Sequence, residues 1–425
     1  MIQRRNFLRT SFLGLAGLPV LAAAQRDTLE ETWGNLWRDD DRNDEAYWES
    51  IRQEFPFEND LVYFNTGSLG PCPDFISKAT NAFRATLDGF PSKYMWGGWY
   101  TEIEKVRGKA ASLLNVSPEE IALVHNTTEG MNLIASSMKL KRGDEVILCD
   151  HEHMSSLAPW KYWQESKGIK LVRPKLPALT EDKEEIVEMY RKAITSKTKV
   201  ISLVHISNQN GIVLPIKEIS EMAHEKGVLV AVDGAQGIGA VDVDLADLGC
   251  DFYANSAHKW LFAPKGIGIF YAKKKQQKLL KPLIVARGYK GKTIRRFENY
   301  NTRNLPELLG LGAALDYRAK IGHEKIIARH YELKKYLRET VKGPKVHLKS
   351  ADNDELSGPI QAIAPIGFYP SEVKKFLFEN YKIDCRPMAV KNLFILRLSC
   401  SICISKKDID TLLEGLDAFY KENTE

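Results

Sequence analysis

The sequence has few of the features that mark fibrous, disordered, membrane-spanning or disulfide-stapled proteins. It contains no low-complexity tract and no internal repeat at the periods of solenoid proteins. Its six cysteines are irregularly spaced, and 425 residues are enough to bury a sizeable core without disulfides. The net charge of only +5 gives no electrostatic reason to expect nucleic-acid or membrane-surface binding. We therefore expect a globular protein, most simply of two domains.

Residues 1–24 differ in composition from the rest of the chain. They have a basic start, an apolar middle, and small residues, Ala22 and Ala24, at the end. The apolar part is too short, and too often broken by Gly and Pro, to predict a membrane-spanning helix, and it is typical of a secretory signal. The adjacent Arg4 and Arg5 resemble a twin-arginine export signal; an ordinary signal or a frayed helix is the alternative. The sequence predicts a periplasmic protein, with no later apolar run long enough to span a membrane.

Strands and helices alternate through the middle of the chain. Continuous Val, Ile and Leu runs between amphipathic helices favour an α/β fold with a mostly parallel sheet that is covered on both faces. In such sheets, ligands bind beyond the carboxyl ends of the strands. Strands are predicted at 121–124, 145–149, 199–205, 228–233, 252–254 and 267–271, and helices at 44–54, 102–114, 128–138 and 216–226.

After about residue 290 the pattern changes to a long helix over roughly 305–340, broken near Gly322, followed by alternating strand-like and helical pieces. We interpret this part as a smaller α+β domain. The predicted organisation is a signal peptide (1–24), an N-terminal segment packed on the small domain (25–60), a large domain (61–290) and the small domain (291–425).

Two charged residues follow apolar strands. Asp233 ends the run VLVAVD, where burial is costly unless the carboxylate meets a cation; a strand-end aspartate that caps a turn is the other interpretation. Lys259 lies in SAHKW, where partial burial would lower its pKa and make it a better amine nucleophile toward an aldehyde. An isolated lysine in a loop usually lies in solvent. The preceding aspartate and the Ser-x-His motif favour a shared site instead.

Two further motifs suit an anion and an aromatic ring. NTTEG (126–130) places hydroxyls and free backbone amides at a predicted helix start, which suits a phosphate, although a plain helix cap at Thr128 would look the same. DHEH (150–153) can be interpreted as an H-x-H metal pair, but no third ligand matches it, and His153 stacked on an aromatic cofactor is the alternative. Cys400 and Cys403 form a C-x-x-C without a second pair, which favours core cysteines. No metal site is predicted.

Several of these motifs, in one order over roughly residues 60–410, resemble the class V aminotransferase family of fold-type I pyridoxal-5'-phosphate (PLP) enzymes. That family includes cysteine desulfurases, selenocysteine lyases, kynureninase-like enzymes and isopenicillin N epimerase. The motifs are NTTEGMN (126–132), HEHMSSLAPW (151–160), HISNQNGIVLPI (205–216), DGAQ (233–236), CDFYANSAHKWLFAPKGIG (250–268), FENYNTRNLPELLGLGAALDY (297–317) and LRLSCSICISKKDID (396–410).

The resemblance implies the fold-type I architecture, PLP as the cofactor, and a role for each matching residue. Lys259 resembles the Schiff-base lysine and proton shuttle, Asp233 the partner of the pyridine nitrogen, and His153 the residue stacked on the ring. Gln236 and Asn208 resemble partners of the ring hydroxyl.

The remaining matches concern the phosphate and the substrate. Arg397 resembles the arginine that binds a substrate α-carboxylate, for which guanidinium geometry is suited. A homodimer is implied, in which one subunit reaches the phosphate of its neighbour. The implied phosphate ligands are Thr127 through its backbone, Thr128, Ser256, His258 and, from the neighbouring subunit, Thr302.

Two departures bear on the reaction. Asn301 stands where the family commonly has glycine before the threonine. Desulfurases carry a catalytic cysteine on a loop, whereas here only ten residues, none of them cysteine, separate Arg386 from Arg397, and Cys385 is predicted on a strand. The shortened segment looks most like isopenicillin N epimerase and predicts an epimerase or aminotransferase acting on an amino acid. A desulfurase, selenocysteine lyase or other β-lyase is one alternative, and a non-catalytic PLP-fold binding protein is another.

Overall fold

The computed structural model describes residues 43–58, 60–390 and 393–424. The predicted export signal at 1–24 lies outside these residues, and so does most of the N-terminal segment predicted at 25–60. Within the described ranges, no helix is both long and apolar enough to cross a membrane.

A central seven-stranded sheet forms most of the larger part of the molecule. Its strand order is β2-β8-β7-β6-β5-β3-β4, and β8 runs antiparallel to both of its neighbours while the other strands run parallel to one another. This arrangement confirms the expectation of a mostly parallel sheet. The strands of the chain are β1 Val62–Tyr63, β2 Ile121–Val124, β3 Glu145–Ile147, β4 Lys170–Val172, β5 Thr198–Val204, β6 Leu229–Asp233, β7 Phe252–Asn255, β8 Gly268–Ala272, β9 Val346–Leu348, β10 Ile360–Pro365, β11 Ile383–Asp384, β12 Arg386–Val390 and β13 Leu393–Ser399.

Helices cover both faces of this sheet, and alternate strand residues enter two separate apolar clusters. One cluster packs α4 and α5 on the sheet, and the other packs α2, α3, α6, α7 and α9 on the opposite face. The helices are α1 Glu45–Arg52, α2 Asp74–Gly89, α3 Tyr100–Leu113, α4 Thr127–Ser137, α5 Met154–Lys167, α6 Lys183–Ala193, α7 Ile216–Glu225, α8 Leu245–Leu248, α9 Leu305–Ile321, α10 His323–Thr340, α11 Pro370–Tyr381 and α12 Lys406–Thr424. Short helical turns lie at Pro91–Lys93, Tyr94–Gly98, Pro118–Glu120, Lys274–Leu279 and Ile294–Phe297.

A second sheet of four antiparallel strands, in the order β12-β13-β10-β9, lies in the C-terminal part of the chain. The described N-terminal residues contact this part directly. Arg52 on α1 donates to Asp408 on α12 at 2.8 Å, and Glu45 pairs with Arg329 on α10 at 2.6 Å. The two-residue strand β1 pairs in parallel with β11. The first and last described helices, α1 and α12, are therefore held against each other.

Most of the predicted elements occur within two residues of their expected bounds, and one detail differs. Asn126, not Thr128, caps α4, because its side chain accepts the Glu129 N–H at 3.0 Å and leaves Thr128 inside the first turn. The predicted break near Gly322 is confirmed, since Gly322 has a φ of +103°, which ends α9 before α10 begins. The sequence patterns did not predict α2, α5, α6 or the short strand β4.

Candidate active site

The polar residues singled out from the sequence converge at the carboxyl ends of the central strands. Asp233 is the last residue of β6, and the segment from Ser256 to Lys259 follows β7 directly. The turn after β5 leads to Asn208. Parallel strands bring these three segments to one edge of the sheet, where ligands of α/β proteins bind.

Asp233 and Lys259 form the centre of this pocket. Asp233 is only 2% exposed, and one of its carboxylate oxygens accepts the Ala235 N–H at 3.0 Å. Burial raises the pKa of Asp233, while the Ala235 hydrogen bond and the charge of Lys259 act in the opposite direction. Burial also lowers the pKa of Lys259 to about 8, although the charge of Asp233 opposes this shift. About a tenth of Lys259 is thus the free amine at pH 7, far more than for an ordinary lysine, and a nucleophilic lysine reacts in this form.

The backbone that carries Lys259 is in close contact with the loop after β1. The Gly70 N–H donates to the carbonyl oxygen of His258 at 3.0 Å. A β-carbon at position 70 would lie 1.9 Å from the carbonyl oxygen of Lys259, so only glycine allows this approach. The turn-rich sequence NTGSLGPCP therefore fixes the position of the lysine segment.

An anion cradle lies at the start of α4. The Thr127 N–H donates to Ser256 Oγ at 3.1 Å, and the two hydroxyls are 2.9 Å apart. Gly130 lets α4 approach β7 closely, since a β-carbon there would lie 2.5 Å from that of Ala254. His258 Nδ1 is buried and, among the described residues, has no hydrogen-bond partner.

These groups fit the phosphate of PLP. A helix N-terminus favours an anion, two hydroxyls can donate to phosphate oxygens, and the unpartnered ring nitrogen of His258 needs a polar neighbour. Burial lowers the pKa of His258 to about 4, and a phosphate beside the ring would act in the opposite direction by favouring the protonated form. Thr128 is exposed in the first turn of α4, where it lines a cavity of about 300 Å³ between α4 and α5.

Arg397, on β13, is a buried arginine on the other side of the pocket. Its side chain is held by uncharged partners: Nη1 donates to the Asn208 carbonyl at 3.2 Å, and Nη2 donates to Asn65 Oδ1 at 2.9 Å and Ser68 Oγ at 2.5 Å. Its Nε is buried and has no partner within the part of the chain that the structure describes. Burial and then the charge of Arg386 lower the pKa of Arg397 to about 10. A carboxylate ligand would offset the effects of burial and of Arg386 on this pKa, because it favours the charged guanidinium.

The structure brings His153, Asn208 and Gln236 to the same region, in different environments. His153 caps α5, with Nδ1 accepting the Ser155 N–H at 3.2 Å. Burial lowers the pKa of His153, the charge of Asp233 opposes this shift, and the charges of Lys259 and Arg397 add to it. Asn208 is half-buried and contacts Arg397 through its carbonyl.

Gln236 makes two hydrogen bonds through its side-chain amide. Its Nε2 donates to the Gly67 carbonyl at 2.7 Å, and its Oε1 accepts from Trp260 Nε1 at 2.7 Å. One amide hydrogen and one oxygen lone pair remain for another partner. Its role toward the ring hydroxyl stays a prediction, and the structure adds a role in joining two loops.

Thr302 is exposed on the loop before α9. This loop is fixed by Glu298, which accepts from Arg107 Nη2 and from the Leu123 N–H, both at 2.5 Å, and by Arg303, which donates to the Leu123 carbonyl at 2.8 Å. The predicted contact of Thr302 with the phosphate of a neighbouring subunit stays a prediction.

The last three cysteines of the chain and the first histidine of the H-x-H motif are buried. Cys385, Cys400 and Cys403 are buried free thiols, and burial raises the pKa of Cys385 to about 12. His151 is buried with Nδ1 3.2 Å from Ser207 Oγ. Among the residues that the structure describes, no group of three or more His, Cys, Asp and Glu side chains is placed to hold a metal ion.

The sequence patterns did not reveal the residues that hold Arg397. Asn65 and Ser68 lie in the turn-rich stretch NTGSLG, and the contact of Asn65 with Arg397 spans 332 residues. The polar residues of that turn were the feature of the sequence that could have indicated these contacts. Glu152 also received no role from the sequence, because a glutamate before a helix normally lies in solvent.

A lysine with a lowered pKa and a buried aspartate lie at the carboxyl edge of a mainly parallel sheet, beside the hydroxyl groups at the start of α4. This arrangement fits a fold-type I PLP-dependent protein, and PLP is its cofactor. The model of the family described as Aminotransferase class-V matches residues 94–387. The chain belongs to this family.

Relatives include proteins of two different activities. The chain is 31% identical to the isopenicillin N epimerase of Streptomyces clavuligerus, over 89% of this chain and 99% of that protein. It is 35% identical to a probable cysteine desulfurase of Halalkalibacterium halodurans, over 84% of this chain and 92% of the relative. The solved structure of the cysteine desulfurase CsdA from Escherichia coli superposes with a TM-score of 0.76 and 25% identity, covering 88% of this chain and 98% of that one. The family is thus shown, and the reaction within it is left open.

Proposed function

We propose that the protein is a PLP-dependent enzyme that moves the α-proton of an amino acid, of the epimerase or aminotransferase type. One observation carries the proposal. The amine of Lys259, with its pKa lowered to about 8, shares a pocket with the buried Asp233 and with Arg397, whose described partners are uncharged. This set can bind an amino acid by its carboxylate and hold a base near its α-carbon.

Each residue has a distinct task in this proposal. The cofactor, when bound, supplies an aldehyde for the substrate amine and a ring that accepts electron density from the α-carbon. Asp233 keeps a proton on the ring nitrogen, and Thr127, Thr128, Ser256 and His258 hold the phosphate. Arg397 binds the substrate carboxylate, and Lys259 takes up and returns the α-proton.

The surroundings of Cys385 support proton transfer over desulfuration. A desulfurase needs a thiolate that reaches the substrate sulfur. Cys385 is 1% exposed with its pKa raised to about 12, mainly by burial. The strands that follow it, β12 and β13, pair directly through Val390 and Leu393, which leaves two residues between them and no extended loop. The second candidate, a cysteine desulfurase, is favoured by the relative from H. halodurans.

The holoenzyme can be tested with D- and L-amino acids in deuterated water. We expect exchange of the α-proton, followed by proton NMR, for at least one amino acid, and its loss in Lys259→Ala. Absence of exchange and of any change in cofactor absorbance with the whole panel would contradict an amino-acid enzyme and favour a non-catalytic binding protein.

Free cysteine separates the two candidate reactions. The proposal expects no release of alanine above the level of a cysteine-free control. Alanine release with a persulfide on Cys385, both abolished in Cys385→Ser, would replace the proposal by desulfuration. Cys400→Ser is the matched control, because Cys400 is equally buried and its pKa is also raised to about 12.

We further propose a homodimer, in which Thr302 reaches the neighbour's phosphate site, and export to the periplasm. Exposure of Thr302 on a firmly anchored loop supports the first proposal. The molar mass in solution tests it. A monomer that binds PLP with full affinity would contradict the role of Thr302.

A further inference from the structure

Glu152 carries a buried carboxyl group under the pocket, and the proposed function gives this group no task. It directly precedes His153, yet its side chain turns inward and the residue is 7% exposed. Its Oε1 accepts the Val204 N–H at 3.1 Å and the Cys149 thiol at 3.6 Å. Val204 is paired in the sheet with Asp233, so the carboxyl groups of Glu152 and Asp233 are near one another at adjoining strand ends.

The groups that face Glu152 offer it no positive charge. Within the part of the chain that the structure describes, they are Asp233 on β6, Cys149 after β3, Ser156 on α5 and Tyr190 on α6. Its Oε2 is buried and has no hydrogen-bond partner among the described residues. An ionised carboxylate in this position would be desolvated, unpaired and close to a second carboxylate, which is strongly unfavourable.

A protonated carboxyl group removes this conflict. Because Oε1 already accepts two hydrogen bonds, the proton belongs on Oε2. Burial, and then the charge of Asp233, raise the pKa of Glu152 to about 8, in agreement with a neutral group at neutral pH. The pocket floor then holds one carboxylate instead of two.

We propose that Glu152 is a positioning residue that stays protonated and thereby leaves Asp233 as the single charged carboxylate beside the ring nitrogen of the cofactor. The proposal rests on the function proposed above. If Glu152 lost its proton, the second negative charge would make Asp233 more basic and draw the shared proton from the ring nitrogen to Asp233. The ring would then accept electron density less well, although every ligand of the cofactor remained in place.

The decisive variant is Glu152→Gln, which has the same shape, keeps an oxygen for the Val204 N–H and is neutral at every pH. In the wild-type holoenzyme we expect cofactor absorbance and kcat to change together as pH rises through about 8. In Glu152→Gln the transition in cofactor absorbance should disappear while PLP remains bound, whereas the part of the kcat profile that follows the free amine of Lys259, whose pKa is also lowered to about 8, should remain. A residue with a merely structural role would lower activity at every pH and leave the transition in place, and that result would overturn the proposal.

Glu54→Gln is the matched control. Glu54 is partly buried, has an unpartnered Oε2 within the described part of the chain, and has a pKa raised mainly by burial, but it lies beside Asp74 and not beside Asp233. It should leave the alkaline transition of the cofactor unchanged. Equal loss of the transition in both variants would contradict a specific action on Asp233.

The cofactor-free protein gives a second test that is independent of catalysis. Infrared difference spectra between wild type and Glu152→Gln should show a protonated carboxyl band at pH 7 that is lost above about pH 8. If the variant does not fold, carbon-13 NMR of glutamate-labelled wild type replaces it, and one δ-carboxyl should titrate near pH 8. Absence of such a group would refute the inference while leaving the proposed function intact.

Discussion

Replacement of Gly70 by alanine tests how the loop after β1 holds the lysine segment. The new β-carbon would lie 1.9 Å from the carbonyl oxygen of Lys259, 2.8 Å from its carbonyl carbon and 2.9 Å from the carbonyl oxygen of His258. All three atoms belong to the backbone, so no side chain can rotate away. Either the loop or the lysine segment must move by more than about 1 Å to restore van der Waals contact.

The cost can be approximated from three contributions, one of which offsets the other two. Overpacking of a tight contact destabilises a protein by about 1–3 kcal/mol, and loss of the Gly70 hydrogen bond to His258 adds about 1 kcal/mol. The lower backbone entropy of alanine in the unfolded chain offsets about 0.4–1 kcal/mol. We expect a net loss of about 1–3 kcal/mol, together with weaker PLP binding, because the displaced segment carries Lys259 and His258.

Urea denaturation of the cofactor-free protein measures the stability change, and titration with PLP measures the affinity. Gly108→Ala is the control, because position 108 lies within α3 and no neighbouring element comes within 4 Å of the place that its β-carbon would occupy. That variant should be more stable by about 0.5–1 kcal/mol. If Gly70→Ala matched it in stability and bound PLP like the wild type, the reasoning about this contact would be wrong.

Four further changes have expected outcomes. Lys259→Ala should abolish covalent attachment of PLP, and borohydride reduction with peptide mapping should place the label of the wild type on Lys259; a label elsewhere would refute the assignment. Asp233→Asn should keep PLP but slow α-proton exchange by roughly a hundredfold or more, because a few kcal/mol of charge stabilisation is lost, and near-normal exchange would contradict this. Glu152→Gln should gain stability relative to wild type at pH 8–9, because the pKa of Glu152 rises from 4.5 to about 8 on folding. The stability that protonated Glu152 contributes is therefore full below pH 4.5 and lost as pH rises through about 8, with at most about 5 kcal/mol involved. Urea midpoints of both proteins across pH measure this difference, and parallel curves would count against it. Replacing Arg4 and Arg5 by lysine should hold the precursor in the cytoplasm, and undiminished protein in a periplasmic fraction would favour an ordinary secretory signal.

The sheet and the pocket centre were predictable because their signals are local. Asp233 and Lys259 each follow a strand whose apolar run can be recognised without knowing the fold. Parallel topology then brings strand ends together. The short edge strand β4, with no fully buried residue, leaves almost no such pattern, and its position could not be predicted.

Contacts between distant segments could not be predicted in this way. Asn65 and Arg397 meet only because β1 joins β11 and the second sheet packs against the loop after β1. The inward turn of Glu152 likewise depends on the Val204 N–H of another strand. In both cases the partner is chosen by tertiary packing, which no periodicity in one segment reveals.

The contact between α1 and α12 has a consequence for biosynthesis. Arg52 and Asp408, which hold the two helices together, are separated by 356 positions, so this contact forms only after Asp408 has been synthesised. At about 5–20 residues per second, the ribosome reaches Arg397 roughly 7–28 s after Lys259. The strands around Lys259 can fold during that interval, before Arg397, the proposed carboxylate-binding residue, exists. A nascent chain therefore acquires Lys259 before it acquires the arginine that we propose selects its substrate.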